Sequence, residues 1–303
     1  MKKENEKILV TGGSGLLGNL LKEEMPEAIY VSSKDFDLTN QNDVEKMFVK
    51  IKPEIVIHLS AIVGGILNNI EHPVCHLEDN VLMNTLVLKY AFKNKVKKFL
   101  TLLSCGMYSE EIYNKPFSES EIYNNKPHSS IFYYAMAKRT MAAQIDSYNK
   151  EFGTNYNYLI PCNLYGPQDK DDKIIPVIIK KVLEAEKNKE DHITLFGDGT
   201  PIRQFMHSKD MAKIIKHVVV NNITESFNVS PNKSVTINDI ANTILELTNN
   251  KHIKIVYDIN KPNGQIKRDI DNTLFNKIIP NYNFISLEQG ISDCIKEIKK
   301  NYE

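Results

Sequence analysis

Short apolar runs alternate with longer amphipathic stretches along the first half of the chain. Residues 8–10, 28–31, 55–58, 98–103 and 156–160 are apolar and short, while 16–24, 41–50, 80–94 and 133–152 repeat apolar positions at helical spacing. Strands alternating with helices of ten or more residues predict βαβ units and a parallel sheet. The strand runs are nearly continuously apolar, as expected of strands covered on both faces. Beyond Pro161 the rhythm loosens. Residues 175–185, 209–221, 236–248 and 287–300 read as helices, and 193–196 and 253–257 as strands. The expected architecture is α/β, a Rossmann-type doubly wound parallel sheet with a smaller α/β C-terminal lobe. The expected division is 1–165 for the dinucleotide-binding domain and 166–303 for the substrate lobe. A segment near 208–230 is expected to return to the sheet, through 226–229.

The first strand runs directly into Thr11-Gly12-Gly13-Ser14-Gly15-Leu16-Leu17-Gly18. Gly12 permits a tight turn, Gly15 allows a pyrophosphate close to the backbone, and Gly18 allows helix and strand to pack closely. The helix N-terminus offers unpaired N–H groups and a positive dipole end to phosphates. In this strand–turn–helix context the spacing predicts a dinucleotide site. An NAD site ordinarily has an acid at the end of the second strand for the ribose 2′-hydroxyl. Here Ser32, Ser33 and Lys34 occupy that end, and two hydroxyls with an ammonium suit a 2′-phosphate better. The expected cofactor is therefore NADP(H). Asp37 and Leu38 are placed to meet the adenine. Leu59, Ser60 and Ala61 after the third strand, and Pro161, Asn163 and Leu164 after the fifth, are expected to complete the crevice.

Tyr134 and Lys138 stand four apart on one predicted helical face, and Ser104 ends a strand run thirty residues upstream. A free phenol, with a pKa about 10, is a poor acid–base near neutrality. An ammonium ~4 Å away at an effective dielectric of ~20 is worth about 4 kcal/mol, or roughly 3 pK units. This pattern predicts Tyr134 as proton donor to a ketone, Lys138 as the group that lowers its pKa, and Ser104 as a hydrogen-bond donor to the carbonyl oxygen.

Composition and charge narrow the partners. Lys plus Arg and Asp plus Glu both number 38, so no overall field attracts nucleic acid or an anionic membrane. Any anionic ligand must meet a local cluster of cations. No apolar run reaches the ~18 residues of a membrane span. The opening Met1-Lys2-Lys3-Glu4-Asn5-Glu6-Lys7 lacks the pattern of a signal peptide, which leads to an expectation of a cytoplasmic protein. Cys75, Cys105, Cys162 and Cys294 show no paired spacing. His72 and His76 flank Cys75, but Pro73 makes a continuous helical pair doubtful, and no metal site is expected.

The chain resembles the GDP-L-fucose synthase group of extended short-chain dehydrogenases/reductases over essentially its full length. The matching pieces are Val63-Gly64-Gly65-Ile66, Ser104 to Tyr108, Tyr134 to Lys138, Asn163-Leu164-Tyr165-Gly166-Pro167, and Ile175-Pro176. They continue in Gly199-Thr200-Pro201-Ile202-Arg203-Gln204-Phe205-Met206-His207 and Lys261-Pro262-Asn263-Gly264. The resemblance implies a GDP-linked 4-keto sugar as substrate and a homodimer. It places Arg203 on the diphosphate and Lys181, Phe196, Asn263 and Arg268 around the GDP-sugar. Val63, Gly64, Gly65, Ser104, Cys105, Gly106, Asn163 and Lys173 fall on the sugar side.

Members that also epimerise C3 and C5 use a Cys two residues after the catalytic Ser and a His just before the Ile-Pro. This chain has Gly106 and Lys173 there. Cys105 is one residue early, and on a strand such a shift turns a side chain to the opposite face. A lysine ordinarily donates rather than accepts a proton near neutrality. The expectation is a C4-keto reductase of a GDP-4-keto-6-deoxy hexose or heptose, without epimerase activity. The alternatives left open are a bifunctional GDP-L-fucose synthase in which Cys105 and another group restore epimerisation, and a non-catalytic NADP(H)-binding protein.

Overall fold

A computed structural model of the chain describes residues 6–111, 115–167, 169 and 173–300. Residues 1–5, used above against a signal peptide, and residues 170–172, just before Lys173, lie outside them. The first half contains β1 (Ile8–Thr11), α1 (Leu16–Glu24), β2 (Ile29–Val31), α2 (Gln41–Ile51), β3 (Ile55–His58), α3 (Ile66–Glu71), α4 (Pro73–Lys93), β4 (Lys98–Leu102), α5 (Phe132–Phe152) and β5 (Asn157–Pro161). These follow the sequence pattern closely. The exceptions are α3, which was not expected, and α4, which begins seven residues before the expected 80, with Pro73 at its first position. There its missing N–H costs nothing, because the first turn of a helix has no internal acceptor for it.

The remaining elements are β6 (Asn163–Tyr165), α6 (Ile174–Asn188), β7 (His192–Phe196), β8 (Ile202–His207), α7 (Ser208–Val220), β9 (Phe227–Val229), β10 (Ser234–Thr236), α8 (Ile237–Leu247), β11 (Lys254–Asp258), β12 (Lys267–Arg268), α9 (Thr273–Ile278) and α10 (Leu287–Lys299). Of these, β6, β8, β10 and β12 were not legible as strands. The last two are only three and two residues long, and β8, Ile202–His207, mixes charged, polar and apolar positions.

A six-stranded parallel sheet runs in the order β2-β1-β3-β4-β5-β9. Thr11, His58 and Thr101 align in register at the C-terminal ends of β1, β3 and β4. The order reverses at β1, and ligands of open α/β sheets bind outside the strand ends at such a point. β1 and β3 are buried throughout, which accounts for their unbroken apolar runs. α1 packs against α7, and α2, α4 and α5 pack together.

At Cys162 the chain leaves this sheet. β6, β10 and β12 join β8 in a four-stranded sheet, and β7 pairs with β11 in a separate two-stranded one. A second apolar core, which includes Ile175, Ile178, Val182, Ile244 and Ile295, fills this lobe. β9 returns to the main sheet beside β5, as expected of 226–229. Ile270, Phe275 and Ile279 also join the main core, so the chain crosses back a second time. Among the described residues, no helix is long and apolar enough to cross a membrane.

Candidate active site

The glycine turn is built as its spacing predicts. Gly12 has φ +73°, and a Cβ there would lie 2.8 Å from the Ser60 nitrogen and 2.9 Å from the Leu59 carbonyl carbon. At Gly18 a Cβ would lie 2.3 Å from the Gly12 oxygen, so only glycine lets α1 approach the turn. Gly13 presses on Tyr30 of β2. Gly15, the N-cap of α1, is different. Within 4 Å its Cβ would meet only the Gly12 oxygen, at 3.4 Å, which leaves the helix N-terminus open on its outer side. Exposed Ser14 and half-buried Leu16 flank that opening, and Leu17 packs inward.

The end of β2 differs in detail from the expectation. Asp35 folds back, and its Oδ2 accepts from both the backbone N–H and the hydroxyl of Ser32, each at 2.8 Å. The Ser32 hydroxyl is therefore directed at a carboxylate, while Ser33 and Lys34 remain exposed. Asp37 closes a local turn by accepting from Thr39 N–H and hydroxyl at 2.9 and 2.7 Å, and Leu38 is buried in the core. Ala61 is half-buried in the loop beyond Ser60, Pro161 is buried at the end of β5, and Leu164 is half-buried on β6.

Ser104, Tyr134 and Lys138 come together as predicted. The Ser104 hydroxyl accepts from Gly106 N–H at 3.1 Å and also pairs with the Tyr134 phenol. Lys138 Nζ donates to the Leu102 carbonyl at 2.8 Å and lies 5.7 Å from the centroid of the Tyr134 ring. The expected lowering of the phenol pKa by Lys138 is not what the structure shows. Burial pushes the phenol well above its ordinary value, partly offset by the bond to Ser104. Burial also lowers the Lys138 ammonium to about 8. Desolvation opposes both charged forms, and it outweighs the attraction assumed from spacing alone.

The opposite wall comes from distant segments. Arg203 is buried, with Nη1 donating to the Ile202 carbonyl at 2.7 Å and Nη2 to that of Gln265. Burial first, and then the nearby Arg268, lower its pKa to about 9. Arg268 donates to Asn163 Oδ1 at 2.9 Å, while Asn163 Nδ2 donates to the Gln204 carbonyl at 2.8 Å. The Arg268 Nε is buried with no partner among the described residues. A Cβ on Gly106 would lie 2.7 Å from Ile131 Cδ1 and 3.3 Å from both Arg268 Nη1 and Ser104 Oγ.

Cys105 is only 2% exposed and packs in the main core. Lys173 Nζ donates to the Gly64 carbonyl at 3.4 Å, which ties the start of α6 to the Val63-Gly64-Gly65 loop. Lys181 is half-buried on α6, and Phe196 is 49% exposed with Lys261 Nζ 5.8 Å from its ring centroid. Asn263 is clamped to Asp198 by two hydrogen bonds, its Nδ2 to Asp198 Oδ1 at 2.7 Å and Asp198 N–H to its Oδ1 at 3.2 Å. Its amide shapes the turn after β7.

Several supporting residues carried no signal in the sequence. Arg139 donates to the carbonyls of Met107, Asn125 and Asn124 at 2.8, 2.7 and 2.9 Å, tying two loops beside the site to α5. Adjacent to Lys138, it points about 100° away around the helix, so spacing alone assigns it nothing. Asn80 holds both backbone groups of Ile62 at 2.9 and 3.0 Å. Beneath the crevice, His58 Nδ1 pairs with Thr11 Oγ1 at 2.7 Å and its Nε2 with Asn84 Oδ1 at 2.9 Å; burial lowers its pKa to about 4. His76 sits edge-on to Tyr134 and bonds to Asn68 Oδ1 at 2.8 Å, while His72 occupies the N-cap position of α4 without a side-chain cap. The four cysteines form no disulfide. Among the described residues, no group of three or more His, Cys, Asp or Glu is placed to hold a metal ion.

Comparison with known proteins places the chain in a family. The model of the "NAD dependent epimerase/dehydratase family" matches residues 8–230. A probable GDP-L-fucose synthase of Drosophila melanogaster is 33% identical, covering 98% of each chain. A GDP-L-colitose synthase of Yersinia pseudotuberculosis is 35% identical over 94% of this chain and 96% of its own. The crystal structure of a GDP-L-fucose synthetase from Naegleria fowleri bound to NADP is 28% identical, with a TM-score of 0.87 and coverage of 99% and 96%. The chain thus belongs to the NAD dependent epimerase/dehydratase family, as a GDP-L-fucose-synthase-like, NADP-dependent oxidoreductase of the extended short-chain dehydrogenase/reductase type.

Proposed function

We propose that the protein is an NADPH-dependent C4-keto reductase of a GDP-4-keto-6-deoxy sugar, hexose or heptose, that does not epimerise C3 or C5. Reduction is supported by the Ser104–Tyr134–Lys138 set, and a GDP-linked substrate by the relatives and by buried Arg203 with half-buried Arg268 beside it. The turn at Gly12, Gly15 and Gly18 and the open N-terminus of α1 fit a pyrophosphate. Bound there, NADPH supplies the hydride.

The chain's own residues supply the proton and the orientation. Ser104 donates to the ketone oxygen and holds it beside the Tyr134 phenol. A phenol pushed up by burial keeps its proton at working pH, which is the form a general acid for reduction requires. Lys138, anchored on the Leu102 carbonyl with Nζ 5.7 Å from the centroid of that ring, and Arg268, whose charge lowers the phenol pKa, stabilise the phenolate left after transfer.

The observation that carries the restriction to reduction is at Gly106. The position two residues beyond Ser104 has no side chain, and the volume a Cβ would need is held by Ile131 Cδ1. A base that removes a proton beside a ketone must reach that carbon. Cys105 is 2% exposed and packed in the main core, which leaves its thiol little room to move to that carbon.

The test is turnover in deuterated water with NADPH and GDP-4-keto-6-deoxy sugars, followed by NMR of the product. Reduction at C4 with protium retained at C3 and C5 is expected. Solvent deuterium at either carbon, arriving as fast as reduction, overturns the restriction and favours the bifunctional synthase.

A further inference from the structure

His128 has no part in the chemistry above, yet the turn it caps packs against Gly106, two residues beyond Ser104. It caps the single turn Ser129–Ile131 that leads into α5. Its Nδ1 accepts from the Ser130 backbone N–H at 3.3 Å and lies 2.8 Å from Ser130 Oγ. A backbone N–H only donates, so Nδ1 must present a lone pair, and the proton of the neutral ring sits on Nε2. That Nε2–H has no hydrogen-bond partner among the described residues. The half-buried ring is held below the ordinary histidine range by burial, while Glu110 opposes the shift and the guanidiniums of Arg268 and Arg203 add to it.

The turn is also tied to the site by packing. Ile131, whose N–H donates to the His128 carbonyl at 3.1 Å, is the residue lying against Gly106. Pro127 bridges Ser109, and the Ser109 carbonyl accepts from Gln265 at 2.8 Å. The segments around residues 104–109, 127–131 and 265–268 therefore form one wall, and the neutral donor of His128 belongs to it, within the field of Arg268 and Arg203. A guanidinium attracts phosphate by charge. A neutral N–H of fixed direction discriminates by geometry, which suits a hydroxyl or ring oxygen.

We propose that His128 is a substrate-binding, specificity-determining residue whose neutral Nε2–H donates a hydrogen bond to an oxygen of the GDP-linked sugar. This rests on the reading of the protein as a GDP-sugar reductase. The two jobs of the ring can be separated. His128→Asn keeps an acceptor for Ser130 N–H but lacks the reach of Nε2, whereas His128→Gln places an N–H near Nε2 but weakens the cap. Steady-state kinetics with the best sugar nucleotide, and thermal denaturation, are measured for both variants.

For His128→Asn the expected result is a near-native Tm, an unchanged KM for NADPH, kcat within about threefold, and a sugar-nucleotide KM raised by about five- to tenfold. His128→Gln is expected to have a lower Tm and a sugar KM closer to that of the parent protein. An unchanged sugar KM in His128→Asn, or a KM in His128→Gln no better than in His128→Asn, overturns the assignment while the reductase reading stands. A parent protein that reduces no GDP-4-keto sugar overturns both.

Discussion

The two walls of the cleft are built differently. On the cofactor side, each functional group lies within a short stretch of chain: the glycine turn within Gly12 to Gly18, and the Tyr134–Lys138 pair within one helical turn. On the other side, Arg203, Gly106, Ile131, Asn163 and Arg268 meet only through the tertiary fold, over sequence separations of 105 residues and more. The first wall obeys local geometry that a few residues impose. The second has no local rule, and each member is set by which loop lands beside it. The cofactor wall is thus constrained by backbone, and the substrate wall by side chains that can change without disturbing the sheet.

The sharpest test of this contrast is Tyr134→Phe, which removes only the phenolic oxygen. Reduction is expected to fall by roughly 10²–10⁴-fold with little change in NADPH affinity. Near-normal turnover would mean that Ser104 or water supplies the proton. Arg203→Ala attacks the other wall. A charge-assisted hydrogen bond contributes about 1.5–3 kcal/mol, so the sugar-nucleotide KM should rise at least about tenfold while the KM for NADPH stays fixed. Thermal denaturation should show a loss as well, because Arg203 also holds the Ile202 and Gln265 carbonyls. An unchanged KM would move the diphosphate elsewhere.

Acid exposes one buried histidine in each region. His58 lies under the cofactor crevice, and His207 ends β8 with Nδ1 accepting from Lys209 N–H at 3.2 Å. Burial lowers both to about 4. Because their folded values are depressed, the unfolded chain binds protons that the native state refuses. The stability each ring contributes is therefore complete above about pH 6.5 and is lost as pH falls toward 4. One such ring costs on the order of 2 kcal/mol at pH 5. Urea denaturation at pH 7, 6 and 5 should show this decline, and a flat profile would contradict the burial of both rings.

The smallest effect is expected at the 2′-phosphate. With the Ser32 hydroxyl directed at Asp35, Lys34 is the exposed cation left at the end of β2. Lys34→Ala should raise the KM for NADPH a few-fold and leave that for NADH alone, consistent with about 0–1 kcal/mol for an exposed ion pair. Equal effects on both cofactors would place the 2′-phosphate away from Lys34.

The sequence by itself determined the parallel sheet, the glycine turn and the catalytic pair. Strand and helix periods and one-turn spacings are properties of the backbone, carried by residues close in the chain. It also located Gly106 and Lys173 as departures, through resemblance. Tertiary structure alone decided their surroundings. Ile131 fills the space beside Gly106, Lys173 reaches the Gly64 carbonyl, and Asn263 is bound to Asp198. It also reversed the expected direction of the Tyr134 shift. Spacing reports how near a charge is, but the degree of burial is set by the whole fold, and desolvation acts on each charged form before any partner offsets it.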